Sequence, residues 1–267
     1  MNKSASIRII CAALSAISAF VLCGCSEGSS GRSDIVYEDM KEAFEKADLY
    51  SSNIGIMTKT AAGDSVSYGE TGSGVIFETK DGMYYALTAA HVISHENSEF
   101  LVFTVNTEMA TEEIPGIDNM HILKPEVYDA MYKAEVMYVS TEDDLAVIRF
   151  SADEKLSVIE MADADPKKED RIMCVGNPEN EWFAFSYGKV LSGIERVGEF
   201  TGFPSNAMKH SAYINVGSSG GAAVNEEMKL AGITPGASLS ADGKKFNYGV
   251  MIPVSEITKC LSAWRNG

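Results

Sequence analysis

Gly217-Ser218-Ser219-Gly220-Gly221 sets a serine among glycines, in a loop where backbone amides can approach a bound atom with no side chain in the way. A serine hydroxyl is a weak nucleophile at neutral pH. It needs an imidazole to accept its proton and a carboxylate to hold that imidazole in the right tautomer. Two upstream segments supply these groups: Leu87-Thr88-Ala89-Ala90-His91 and Asp143-Asp144-Leu145-Ala146-Val147-Ile148.

Chain order decides which architecture can bring them together. The loop satisfies Gly-x-Ser-x-Gly, the strand-to-helix elbow of α/β-hydrolases, but there the histidine follows the serine. Here His91, His95, His121 and His210 all precede Ser219. An Asp, His, Ser order would need an acid upstream of His91, and neither Asp64 nor Asp81 has a suitable context. The order that remains is His91, Asp144, Ser219.

The surrounding pattern is that of an all-β chain. From Ile54 onward, short apolar or alternating runs follow one another between Gly, Asn and Asp turns, among them Tyr84 to Ala89, Leu145 to Phe150, Arg171 to Val175 and Tyr248 to Ile252. Such spacing indicates a barrel or sandwich. Residues 34–50 read as a helix capped by Asp34, with Val36, Met40, Ala43, Phe44 and Ala47 on one face, and Ser255 to Trp264 as a short closing helix. Thr107 to Asp129, with Pro115, Gly116 and Pro125, reads as an inserted surface loop, and the charged stretch Ser151 to Lys168 as a linker.

With that order and those strands, the chain resembles the chymotrypsin-like (trypsin-like) serine peptidases, and among them the bacterial HtrA/Deg type, over about residues 54–258. The matches are Gly72-Ser73-Gly74-Val75-Ile76 before the Thr-Ala-Ala-His block, Tyr132 to Val136 leading into Asp144-Leu145-Ala146-Val147, and Val175-Gly176-Asn177-Pro178 opening the second half. Ile214-Asn215 before the serine loop and Gly249 to Pro253 complete them. The resemblance implies two packed antiparallel six-stranded β-barrels, 54–155 carrying His and Asp and 165–267 carrying Ser and the C-terminal helix, preceded by a helical segment at 34–53. It implies His91 as general base and then acid, Asp144 as the residue that orients it, Ser219 as nucleophile, and the amides of Gly217 and Ser219 as the oxyanion hole. Protein or peptide substrates follow. By alignment of the serine loop, Tyr213 lies near the base of the primary specificity pocket and Ile233 to Pro235, with Thr234 between them, form one wall. No acid stands at Tyr213, so a Lys or Arg side chain would lack its counter-charge there, and a small or medium apolar residue is expected.

Neighbouring residues are expected to do less. His95 and Asp143 read as loop and turn residues, Ser218 as structural, and His121 and His210 as surface or loop histidines. Digestive-type relatives have Asp before the nucleophile where this sequence has Ser218, so activation by an ion pair to a new N-terminus is not expected, and the usual Pro after Gly-Gly is Ala222. Most HtrA/Deg proteins also carry a C-terminal PDZ domain, for which the residues after Pro253 are too few. The alternative to an enzyme is a catalytically silent fold used as a binding or chaperone module.

Composition narrows the partners. The 267 residues carry 22 Lys+Arg against 38 Asp+Glu, a formal net charge of -16, which disfavours nucleic acid because phosphate binding requires a basic face. No Cys/His spacing fits a metal site, and His91 and His95 lack an intervening Glu, so neither metal nor cofactor is assigned. Lys3 and Arg8 precede the apolar run Ile9 to Leu22, as in a signal peptide. The run ends in Leu22-Cys23-Gly24-Cys25, which resembles a bacterial lipobox: 1–24 would be removed, Cys25 lipidated, and 25–33 would tether an exported lipoprotein to the outer face of the cell membrane. Cys174 and Cys260 then remain in the folded part, where unpaired burial is expected. The oligomeric state is left open.

Overall fold

Short apolar or alternating runs from Asn53 onward form strands that close on themselves. The computed structural model describes residues 35–63, 65–95, 97–113, 121–178, 181–197, 205–240 and 245–267. Cys25, Asp34 and the leader and tether read at 1–33 lie outside the described residues. The first half comprises β1 (Asn53–Ala62), β2 (Ser65–Lys80), β3 (Met83–Thr88), β4 (Ser98–Thr104), β5 (Thr111–Glu113), β6 (His121–Leu123), β7 (Tyr132–Ser140) and β8 (Leu145–Phe150). The order β1-β2-β3-β8-β7-β4 forms a closed antiparallel barrel, with β5 and β6 a separate pair. Ile54, Ile56, Ile76, Val102, Ile148 and Phe150 fill it.

The second half differs from a closed six-stranded barrel. Its strands β9 (Arg171–Gly176), β10 (Ala184–Lys189), β11 (Glu195–Val197), β12 (Ser205–His210), β13 (Gly221–Val224), β14 (Leu230–Leu239) and β15 (Phe246–Pro253) make one seven-stranded sheet, β10-β9-β13-β14-β15-β12-β11. The sheet curls until the end of β10 meets β12 at a single bridge, Val190 to His210, flanked by the bond from the Leu191 amide to the Lys209 carbonyl at 2.8 Å. On that edge of β12 the residues Ser205, Asn206 and Ala207 are already paired with β11, so closure is by one bridge rather than a ladder.

Helices bind the halves together. Helix α1 (Ile35–Lys46) buries Met40 and Phe44, leaving Ala47 exposed beyond its end. The Phe44 ring meets Phe185 of β10 edge-on at 5.9 Å. These residues join Val75, Leu87 and Val147 of the barrel, Met173, Val175 and Ile252 of the sheet, and Ile257, Cys260 and Leu261 of the closing helix in one core. The stretch read as a surface loop is partly ordered: Pro125 starts the helix α2 (Pro125–Asp129), and Leu123, Val127, Tyr128 and Met131 pack beneath it with Phe103 and Phe183. The closing helix is α3 (Val254–Asn266).

The linker also docks. Its Ile159 amide donates to Ile76 of the barrel at 3.0 Å, and its Ala162 amide to Leu230 of the sheet at 2.9 Å. Cys174 and Cys260 are free and buried, and burial pushes both thiols up to about 12.

His210 corrects an expectation: it is no surface residue but is fully buried, its ring against the Cα of Gly249 on β15. Neither ring nitrogen reaches a hydrogen-bond partner. Burial lowers its pKa to about 4, and the nearby Val250 and Ala212 backbone groups offset only part of that cost. A base whose folded pKa lies below its unfolded value contributes stability that is complete above pH 6.5 and is lost as pH falls toward 4, here about 3 kcal/mol. Urea midpoints measured from pH 7 to pH 4 should therefore fall less steeply in His210→Leu than in the native chain. Equal slopes would refute this account.

Candidate active site

Each candidate side chain stands where a strand ends. After β3, Ala89 is extended and Ala90–Ile93 turn as a 3₁₀ helix that carries His91, its side chain 22% exposed. Asp144 immediately precedes β8 and is wholly buried, with φ of 52°. It grips the His91 turn at several points. Its carbonyl accepts from the Ala90 amide at 3.1 Å, its Oδ1 from the His91 amide at 3.0 Å, and its carboxylate faces His91 Nδ1 at 2.9 Å. A carboxylate can only accept, so Nδ1 carries the proton and Nε2 is left as the basic nitrogen. Asp143 instead accepts from the Ser140 hydroxyl in the turn, and His95 is exposed.

The serine loop is pressed onto the barrel next to that turn. The Ser73 amide of β2 donates to the Ser219 carbonyl at 2.7 Å. Gly220 has φ of 87°, and a Cβ there would lie 2.2 Å from Thr88 Oγ1 and 3.0 Å from the Ala89 nitrogen, so only glycine fits. The structure thus sets the Ser219 loop against the barrel, next to the turn that carries His91 and its partner Asp144. The Ser219 hydroxyl donates to the Pro235 carbonyl at 3.0 Å.

The loop's amides divide into two groups. Those of Ser218, Gly220 and Gly221 donate to the carbonyls of Asn215, Thr234 and Ser218 at 2.9, 2.7 and 3.0 Å. Those of Gly217 and Ser219 have no acceptor among the described residues. The Ser218 carbonyl is held on the far side by Thr234 Oγ1 at 3.0 Å, which turns the Ser219 amide outward. Ser218 is nearly buried and its hydroxyl accepts from the Asn215 amide, a structural role.

The residues expected around a side-chain pocket separate. Tyr213 is 50% exposed, with its ring 5.2 Å from Phe246 and its hydroxyl accepting from Asn215 Nδ2. With Ile214, Ser218, Thr234, Val175 and Phe185 it borders a cavity of about 150 Å³. Ile233 does not reach it: its side chain is fully buried in the core shared by the two halves. Thr234 borders the cavity while its hydroxyl serves Ser218 and Gly221. The sequence gives no sign of the Pro235 carbonyl as the serine's partner, because a backbone acceptor leaves no mark on residue type. Ser73 and Asn177 stand in motifs already noted, but without a role.

Fold, chain order and this geometry define a trypsin-like serine peptidase domain, and comparison with known families agrees: the Trypsin-like peptidase domain matches residues 72–233, and the chain belongs to that family. Among individual proteins, it is 29% identical over 194 residues to the periplasmic serine endoprotease DegP of Salmonella typhimurium, covering 72% of this chain and 35% of that one. It is 28% identical over 209 residues to a serine protease HtrA-like of Staphylococcus aureus, covering 74% and 24%. A probable DegP-like endoprotease of Buchnera aphidicola matches at 27% over 187 residues, covering 70% and 34%. The chain therefore spans about a third or less of the length of these relatives.

Proposed function

We propose that this chain is a serine endopeptidase, anchored to the outer face of the cell membrane through a lipid on Cys25, that cleaves extracytoplasmic proteins by way of an acyl-enzyme. The observation that carries the reading is the pair of uncommitted amides, Gly217 and Ser219, beside a serine whose loop abuts the His91–Asp144 pair. In the first step the Ser219 hydroxyl proton leaves the Pro235 carbonyl for His91 Nε2 while Oγ bonds to the substrate carbonyl carbon. The carbonyl oxygen becomes an oxyanion and accepts from the two amides, a contribution of about 3 kcal/mol per donor. Asp144 stabilises the imidazolium. Collapse then breaks the C–N bond, and His91 returns the proton to the departing amine. Water, activated by the same imidazole, releases the acyl group from Ser219.

A fluorophosphonate probe tests nucleophile and base together. Labelling of the native chain should vanish in Ser219→Ala and fall by at least about 10²-fold in His91→Ala, in keeping with the contribution of a general base. Absence of labelling and of casein hydrolysis in the native chain would instead favour the binding or chaperone module.

The cavity beside Tyr213 supports a preference for apolar side chains. Its volume of about 150 Å³ is that of an apolar cavity able to hold benzene. The carboxylate on its rim, Glu181, is exposed and hydrated, so it offers little to a cation. Profiling against a peptide library should give cleavage after small or medium apolar residues, and dominant cutting after Lys or Arg would overturn this assignment.

The leader carries the localisation. The lipobox-like Leu22-Cys23-Gly24-Cys25 follows an apolar run without acidic residues, and the DegP relative is described as periplasmic. Metabolic incorporation of labelled palmitate should be abolished by Cys25→Ser; retained incorporation would exclude Cys25 as the acylated residue.

A further inference from the structure

Two motifs, Gly72-Ser73-Gly74 and Val175-Gly176-Asn177-Pro178, take no part in the triad, yet their polar residues are among the most buried in the molecule. Ser73 is 1% exposed and Asn177 is 0% exposed. A buried serine and a buried asparagine are tolerated when their hydrogen bonds are satisfied, so where those bonds go identifies what they hold.

The bonds form one chain with a forced direction. The Phe183 amide donates to Asn177 Oδ1 at 2.8 Å, which fixes the side-chain amide with Nδ2 facing Ser73. Nδ2 and the Asn177 backbone amide both donate to Ser73 Oγ, each at 3.0 Å. With both neighbours donating, the single Ser73 proton is left for the Gly217 carbonyl, at 2.7 Å. The backbone amide of Ser73 meanwhile donates to the Ser219 carbonyl. One residue of the barrel thus holds the carbonyls of both residues whose amides face outward. Each anchored peptide shares a Cα with the peptide whose amide is uncommitted, and Gly217, with φ of 94° and no Cβ, would otherwise leave its two peptides free to rotate.

From this we infer that Ser73 and Asn177 are positioning residues for the oxyanion hole: Asn177 orients the Ser73 hydroxyl, and Ser73 anchors the peptides that follow Gly217 and Ser219, holding the Cα atoms from which the two uncommitted amides project. The inference rests on the catalytic reading given above. It extends outward as well, because Phe183 packs on Tyr50 just after helix α1, whose hydroxyl donates to the Phe183 carbonyl at 3.4 Å. The clamp therefore joins barrel, sheet and N-terminal segment at the nucleophile loop.

Ser73→Ala keeps the shape of the site and removes the donor to Gly217. Loss of a whole oxyanion donor costs about 10²–10³-fold in kcat; a donor that is present but loosely held should cost roughly 10–100-fold. Expected in Ser73→Ala are a kcat lower by that factor, a KM within about twofold of native, and a peptide-boronate affinity reduced in parallel with kcat. The amide resonance of Gly217 should also shift in a ¹⁵N-labelled sample. Asn177→Ala, one link further away, should produce the same pattern, and carries the test if Ser73→Ala does not fold. A native kcat in these variants, a KM that rises as far as kcat falls, or an unmoved Gly217 resonance would overturn the inference. Failure of the native chain to react with a fluorophosphonate would sink the catalytic reading separately, while the resonance shift would still judge the clamp.

Discussion

Val75, Leu87, Leu145 and Val147 of the barrel share one apolar layer with Met173, Val175, Ile233 and Ile252 of the sheet, and the site depends on that layer. Ser219 belongs to one side and His91 with Asp144 to the other, so no local structure brings them together. Burial of apolar surface, at about 25 cal/mol per Å², fixes how the halves dock. Hydrogen bonds that cross the boundary, among them those from Ser73 to Gly217 and Ser219, each contribute about 1 kcal/mol net and would not hold the halves alone. Their value is directional: packing sets the position, and these bonds set which way the peptides of the loop face.

Asp144 illustrates the cost of such a site. An L-residue with φ of 52° is held in the left-handed region at a cost of roughly 1–2 kcal/mol. The conformation persists because it lets one residue serve twice, its carbonyl meeting Ala90 while its carboxylate takes both the amide and the ring of His91. The carboxylate is wholly out of solvent, and those bonds replace the water it has lost.

The residues legible in the sequence were those whose meaning lies in immediate neighbours. His91 at the end of an apolar run, Asp144 before one, and Ser219 among glycines announce themselves locally, and short apolar or alternating runs between turn residues made the barrel strands readable. What escaped depends on distant partners. His210 stands between Lys209 and Ser211 and reads as surface, yet the curl of the sheet buries it against β15. Pro125 reads as a breaker but occupies the first turn of a helix, where it is tolerated. Charged residues hid the docking of 151–168, although Leu156, Ile159 and Ala162 recur every third residue and are buried. Ile233, expected on a pocket wall, faces the core because the pleat points it the other way from the Thr234 side chain.

Helix α1 is among the first described segments of the chain, but its Phe44 lies on Phe185 and its Asp39 pairs with Arg171 at 3.3 Å, partners well over a hundred residues downstream. A ribosome delivers the barrel first and the serine loop late. An unfinished polypeptide ending before Gly217 owns the imidazole and its acid but neither the hydroxyl nor the amides they would work with. The order of synthesis therefore withholds the hydroxyl and its amides until the imidazole and its acid are already made, and the helix gains these partners only once β9 and β10 have followed it.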